Sequence, residues 1–392
     1  MGRSDSGPAR SIAGAICLSL LLIAPTAGPS HAQATDALHQ RIVGELREFT
    51  DWLQQYGVDG YIGEVGWPDD GRGDAPEWNA LAEAWLTEAD AAGLWVHYWA
   101  TGEWWGTKYP LAAYEDRDPA PGVDAPNSQA QILEAHLGTG RGIVDAGGEF
   151  GEAPTTQRTS TFSNEHPGAY GLEYHYDAAA TFAFLASRGI RQVKIPFRWE
   201  RLQPKPGGRL NPAELRRLRA VVERAGAAGL EVILDVHNFG AYYLERDGEG
   251  RRCAIGQKEC KVGDFADLWR RIAVAFRGSN DVTGYTLMTE PVAMKRVGSR
   301  SPAEVWRKAS QAAVKAIRRA GENDAVLFIS GYHWSGTHDW THWNPQPWIT
   351  DPSGLIRYEA HHYWDRDHSG AYRHTYAEEV ADASAKSVTA WR

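Results

Sequence analysis

The run Glu231-Val232-Ile233-Leu234-Asp235-Val236-His237 lies between two amphipathic stretches, Pro212 to Ala228 and Asp264 to Phe276. A short apolar run flanked by helical patterns is how a buried strand of a parallel sheet reads. The unit recurs along the chain. Comparable runs stand at Gly60 to Trp67, Leu94 to Ala100, Gly142 to Ala146, Gln192 to Phe197, Gly284 to Thr289, Val326 to Gly331 and Arg357 to Tyr363. Further helical patterns cover Pro76 to Ala92, Tyr174 to Ser187 and Pro302 to Ala320, several opened by Pro or Asp as a first turn prefers. Eight strand-helix units predict an α/β fold of the closed (β/α)8 TIM-barrel type, and no Gly-rich fingerprint follows a strand to suggest a nucleotide site.

Ahead of this pattern, Arg3 and Arg10 precede an apolar stretch from Ile12 to Ile23, and Ala32-Gln33-Ala34 closes it. This reads as a secretory signal peptide over residues 1–34, followed by one catalytic domain over 35–392, with the protein secreted or periplasmic. No later run reaches the ~18 apolar residues of a spanning helix, so no membrane partner is expected. A formal charge of -9 argues against nucleic acid, which would need basic patches to displace counterions. Seventeen Trp and sixteen Tyr offer many flat faces to sugar rings, with core packing as the alternative for about half of them. Cys253 and Cys260, seven residues apart, are expected to form a disulfide in an oxidising compartment, zinc being the weaker reading. Monomer is the default expectation.

In a barrel of this kind the active site lies at the carboxyl ends of the strands. Those ends carry Glu64, Trp99, His237, Asn238, Thr289, Glu290, His361 and Tyr363, with Glu149 a weaker candidate. Two carboxylates beside histidines, an amide and a tryptophan suit hydrolysis of a glycosidic bond, which needs a proton donor, a nucleophile and groups that grip hydroxyls. The Pro- and Asp-rich stretch from Tyr114 to Asn127 is expected to cover the site, and the loops Tyr242 to Val262 and His333 to Pro352 to shape its mouth.

The segments Val193-Lys194-Ile195-Pro196-Phe197-Arg198-Trp199-Glu200-Arg201-Leu202-Gln203-Pro204, Leu234-Asp235-Val236-His237-Asn238-Phe239-Gly240 and Thr289-Glu290-Pro291 resemble glycoside hydrolase family 5, the cellulase family, and its endoglucanases above all. Tyr358 to Asp365 resembles the sixth strand of that family, while Gly63-Glu64-Val65-Gly66 and Tyr98 to Gly106 resemble its seventh and eighth. The usual last two strands therefore come first, and the chain reads as circularly permuted. The resemblance implies Glu290 as acid/base and Glu64 as nucleophile. It also implies substrate contacts from His237, Asn238, His361, Tyr363 and Trp99, with Trp104, Trp105 and Trp199 as further stacking candidates, and neither metal nor organic cofactor.

Two positions depart from the family pattern. Lys194 stands where Arg is usual and Thr289 where Asn is usual, so both are candidate site residues whose changes could alter sugar preference or turnover. The expected partner is a β-linked polysaccharide or oligosaccharide, β-1,4-glucan first, with mannan, xyloglucan or a short glycoside as alternatives. A non-catalytic carbohydrate-binding barrel and a transglycosylase are the rival readings.

Overall fold

The computed structural model describes residues 36–118, 122–151 and 159–390. The proposed signal peptide lies outside the described residues. Eight parallel strands form a closed barrel: β1 (Gly60–Gly66), β2 (Trp95–Thr101), β3 (Arg141–Asp145), β4 (Gln192–Phe197), β5 (Glu231–Val236), β6 (Val282–Thr286), β7 (Val326–Ser330) and β8 (Ile356–Tyr363). Each strand pairs with its sequence neighbour, and β1 closes the ring by pairing with β8, Gly60 opposite Tyr358 and Gly66 opposite Tyr363. The eight apolar runs are these strands, because a strand covered on both faces has no reason to alternate.

Among the described residues, eight helices of eight residues or more surround the ring: α1 (Ala37–Tyr56), α2 (Ala75–Ala91), α3 (Ser128–Ala135), α4 (Ala179–Ser187), α5 (Pro212–Ala227), α6 (Val262–Phe276), α7 (Pro302–Arg319) and α8 (Tyr376–Ala390). Local chemistry sets their ends. Asn211 caps α5 by accepting from Ala213 and Glu214, and Ser301 with Glu304 forms a capping box ahead of Pro302 in α7. The first and last helices meet, and the Tyr376 hydroxyl donates to Asp36 at 2.8 Å.

Two expectations need correction. The helix expected from Tyr174 begins only at Ala179, because the Tyr174 and Tyr176 hydroxyls reach Glu214 at 2.6 and 2.9 Å and hold that segment extended. Among the described residues of the stretch from Tyr114 to Asn127, none lines the cleft at the barrel mouth. Tyr114–Glu115 pairs with Ala125–Pro126 and, through Tyr114, with Thr101 at the carboxyl end of β2, where the ring of Tyr114 is buried.

The barrel interior is filled in layers. Near its base Tyr61 of β1, Ile233 of β5 and Phe328 of β7 interlock, a layer drawn from alternate strands. Nearer the mouth the interior becomes polar, with Lys194 of β4 and Glu359 of β8 both fully buried and 3.1 Å apart. That buried pair is the floor of the site.

Candidate active site

Strand periodicity builds the site. On β8 the side chains of Glu359, His361 and Tyr363 alternate onto one face, and that face looks into the barrel. Glu64 reaches the same place from β1. The residue before it must be glycine, because a Cβ on Gly63 would stand 2.0 Å from the Glu359 carboxylate. Glu290 follows β6 with φ of 46°, in the left-handed region that a non-glycine residue rarely adopts. Backbone bonds on either side hold it: Phe239 donates to Thr289 at 3.1 Å and His333 to Pro291 at 2.9 Å. Such an outlier, fixed by its neighbours, is typical of a functional position.

One imidazole joins the acidic groups. His361 Nδ1 lies 2.9 Å from Glu290 Oε1 and 3.4 Å from Glu64 Oε2, and its Nε2 lies 3.3 Å from Glu359 Oε1. An oxygen of Glu64, an oxygen of Glu290 and a ring nitrogen of His361 all fall within 4.8 Å of one another. Tyr363 donates its phenol to Glu64 Oε2 at 2.8 Å, and Lys194 Nζ stands 3.7 Å from Glu64 Oε1.

The electrostatics follow from this packing. Burial alone would lower the basicity of His361, but the charge of Glu64 and hydrogen bonds to Glu290 and Glu359 raise its pKa to about 10. It therefore carries both ring protons at neutral pH and donates in both directions. Burial alone would raise Glu359, yet the Lys194 charge and the His361 contact bring it down to about 2. Glu290 moves the other way. Burial raises it above the ordinary carboxylate value, the bond to His361 pulls against that, and the Glu64 charge adds to the rise.

Above this floor opens a cleft of about 670 Å³, lined by Glu64, Trp99, Tyr109, His237, Phe239, Glu290, His333, Trp334, Gly336, His338, His361, Tyr363 and the turn from Asp367 to Gly370. Trp99 and His237 stack along one wall, with ring centres 5.7 Å apart and planes 26° from parallel. Trp99 donates its indole N–H to Tyr109 at 2.7 Å. His237 is oriented from below by Asp235 at 3.0 Å, and burial, which would lower its pKa, is outweighed by that carboxylate.

Of the residues read from sequence, Glu64, Glu290, His237, His361, Tyr363 and Trp99 come together on the cleft. Asn238, Thr289, Lys194, Trp104, Trp105 and Trp199 do not line it. Asn238 turns inward, donating to both Glu200 oxygens at 3.0 and 2.8 Å and accepting from the Trp199 N–H at 2.8 Å. Thr289, fully buried, donates to Asp235 at 2.7 Å and so supports His237 from beneath. Lys194 belongs to the floor. Trp199 is core, packed between Tyr242 and Phe265. Trp105 lies against Tyr109, with ring centres 4.1 Å apart, and Trp104 against Phe150 at 5.1 Å, so both form a shelf behind Trp99.

Glu149 is buried beside His237, takes the Gly147 N–H at 2.9 Å, and is pushed up to about 7 by burial. A disulfide joins Cys253, in the second strand of the hairpin after β5, to Cys260 in the turn ahead of α6. Tyr109, Phe239, His333, Trp334, His338 and His368 were not reached by sequence reasoning. They come from irregular connections, where no periodicity marks an inward face; the expectation that His333 to Pro352 shapes the mouth was the nearest signal.

A parallel barrel with two close carboxylates beside a wall of aromatic rings defines a glycoside hydrolase. Residues 148–392 match the profile described as Cellulase (glycosyl hydrolase family 5), and the chain belongs to that family. It is 28% identical over 251 residues to endo-β-1,4-glucanase B of Emericella nidulans, covering 64% of this chain and 67% of that protein. The crystallised endoglucanase Cel5A of Pseudomonas stutzeri is 33% identical with a TM-score of 0.49, over 59% of this chain and 63% of that one. An endo-β-1,4-glucanase of Xanthomonas axonopodis pv. citri is 29% identical with a TM-score of 0.50, over 62% of this chain and 73% of that one. The match to the Pseudomonas enzyme thus spans less than two thirds of its length.

Proposed function

We propose that the protein is a secreted or periplasmic endo-β-1,4-glucanase that cleaves by double displacement, with Glu64 as nucleophile and Glu290 as acid/base. The observation that carries this is the close approach of the two carboxylates across His361, within 4.8 Å at their oxygens. Retaining glycosidases hold the two groups about 5–5.5 Å apart, whereas inverting ones leave room for a water. In the first step Glu64 forms a bond to the anomeric carbon as the glycosidic C–O bond breaks and the Glu290 proton passes to the departing oxygen. In the second, Glu290 takes a proton from water, whose oxygen displaces Glu64 and leaves the sugar with its starting configuration. Burial favours the protonated Glu290 that the first step requires. Tyr363 and His361 hold Glu64 in place, while Trp99 and His237 support the sugar ring. The names of the relatives favour β-1,4-glucan among β-linked glycans.

The chain order is read as a circular permutation of the family barrel. Its support is that the family match begins at residue 148, after β1 and β2, although these strands bring Glu64 and Trp99 to the same cleft. A chain joined from residue 390 to 36 and opened between β2 and β3 should fold and keep its activity; loss of the barrel would count against the reading.

The functional test is release of reducing ends from carboxymethyl-cellulose, barley β-glucan, glucomannan and xylan, comparing the native chain with Glu64→Gln and Glu290→Gln. Activity on the glucans, abolished by both substitutions, is expected. Unchanged turnover in either variant removes that residue from its role, and binding without turnover on every polymer would favour a non-catalytic barrel.

A further inference from the structure

Outside the cleft lining, Glu103, His175 and Asp177 converge from separate segments. Glu103 opens the short turn Glu103–Trp105 after β2, and the other two lie just before α4. One ligand-type atom from each falls within 4.8 Å of the others. Their orientation is set from behind. Glu103 Oε1 accepts from the Ala178 N–H at 2.7 Å and the Thr181 hydroxyl at 2.6 Å, and Asp177 Oδ2 accepts from the Glu103 N–H at 2.9 Å. Asp177 Oδ1 faces His175 Nε2 at 2.9 Å.

A second observation comes from Asp145, at the end of β3. Its side chain is 4% exposed and interacts with the carboxylates of Asp177 and Glu103, yet its Oδ1 is buried without a hydrogen-bond partner. Among the described residues no Lys or Arg side chain forms an ion pair with any of the three carboxylates. Three acidic groups gathered around one imidazole, with no Lys or Arg among the described residues to balance them and one of them with a buried unsatisfied oxygen, make an arrangement that a metal ion completes.

We propose that Glu103, His175 and Asp177, with Asp145 beside them, bind a divalent first-row cation of the Mn2+ to Zn2+ group. One imidazole among carboxylates suits these ions better than Ca2+, which prefers oxygen alone. The cation takes the place of the proton shared between His175 Nε2 and Asp177 Oδ1, so binding releases that proton to solvent. It ties the segment after β2 to the approach to α4, beside the end of β3. Trp104, whose ring centre lies 5.5 Å from His175 and 5.1 Å from Phe150, then gains a fixed backing, and with it the aromatic shelf behind the cleft.

Glu64, Glu290 and His361 form a second such trio, so the test is made in the full chain carrying Glu64→Gln and Glu290→Gln, freed of metal by chelator. Titration calorimetry with Mn2+ and Zn2+ should show about one equivalent bound, and the unfolding temperature should rise with metal concentration. Adding Asp145→Asn or His175→Gln should weaken binding at least tenfold. Absence of binding up to millimolar metal, or equal binding in both added variants, would overturn the site. If His175→Gln does not fold, Mn2+ broadening of the His175 ring resonances in the parent chain decides the matter: selective broadening supports the site and unchanged lines refute it.

Discussion

Tyr363 donates its phenolic proton to Glu64 Oε2 across 2.8 Å, although the two residues are 299 positions apart in the chain. A hydrogen bond to a charged group is worth about 1.5–3 kcal/mol. Tyr363→Phe removes that donor and keeps the ring. The expected result is a fall in kcat of about 10- to 100-fold with little change in KM, since the loss falls on the group that attacks. A change confined to KM would assign Tyr363 to sugar binding alone.

The charged floor predicts how stability depends on pH. His361 is raised from 6.5 to about 10, so its contribution is complete below 6.5 and is lost as pH rises toward 10. Glu359 is lowered from 4.5 to about 2, so its contribution is complete above 4.5 and is lost as pH falls toward 2. Between 4.5 and 6.5 both are intact. Urea unfolding across pH should show the native chain losing stability above 6.5, and His361→Asn should lessen that alkaline loss. An equal slope in both proteins would contradict the assignment.

The same histidine predicts a shift in activity. Because its hydrogen bond pulls the Glu290 pKa down against the effect of burial, His361→Asn should move the alkaline limb of kcat/KM to higher pH even as the overall rate falls. A limb that stays in place would mean that another group sets it.

Asn238 predicts a separation of stability from binding. Asn238→Ala leaves the buried Glu200 carboxylate with the Tyr243 N–H at 2.7 Å and Arg198 at 3.6 Å as partners. Loss of about 1–3 kcal/mol in urea unfolding is expected, with kcat/KM within about threefold of native. Weaker glucan binding at unchanged stability would instead return Asn238 to the sugar.

Trp99→Ala removes one wall of the cleft. KM for a soluble β-glucan should rise about tenfold, the equivalent of about 1.4 kcal/mol, with a smaller effect on kcat. No rise would place the sugar against Trp334 and Phe239 on another part of the lining.

The barrel was legible because each of its strands is a buried apolar run between amphipathic helices, and the cleft carboxylates because they end such runs. What could have been read further is the period of two on β5 and β8. Asp235 shares a face with His237, and Glu359 with His361 and Tyr363, so both supporting carboxylates were marked in the sequence. Asn238 and Trp199 misled for the opposite reason. Each stands two residues past the end of a strand, where the chain turns and face can no longer be counted. Trp334, His338 and His368 had no pattern to declare them, since only the folded loops decide which rings look inward.

The pairing of β1 with β8 sets the order in which this molecule can be made. Nearly three hundred residues must be synthesised between Glu64 and the strand that holds it, so no partial chain released N-terminus first can contain the cleft. The ring closes through its most distant strand pairing, and a pairing so far apart in the chain forms slowly relative to the local strand-helix contacts. Until β8 docks, β1 presents an open, apolar edge, and it is in that interval that the chain is most exposed to aggregation.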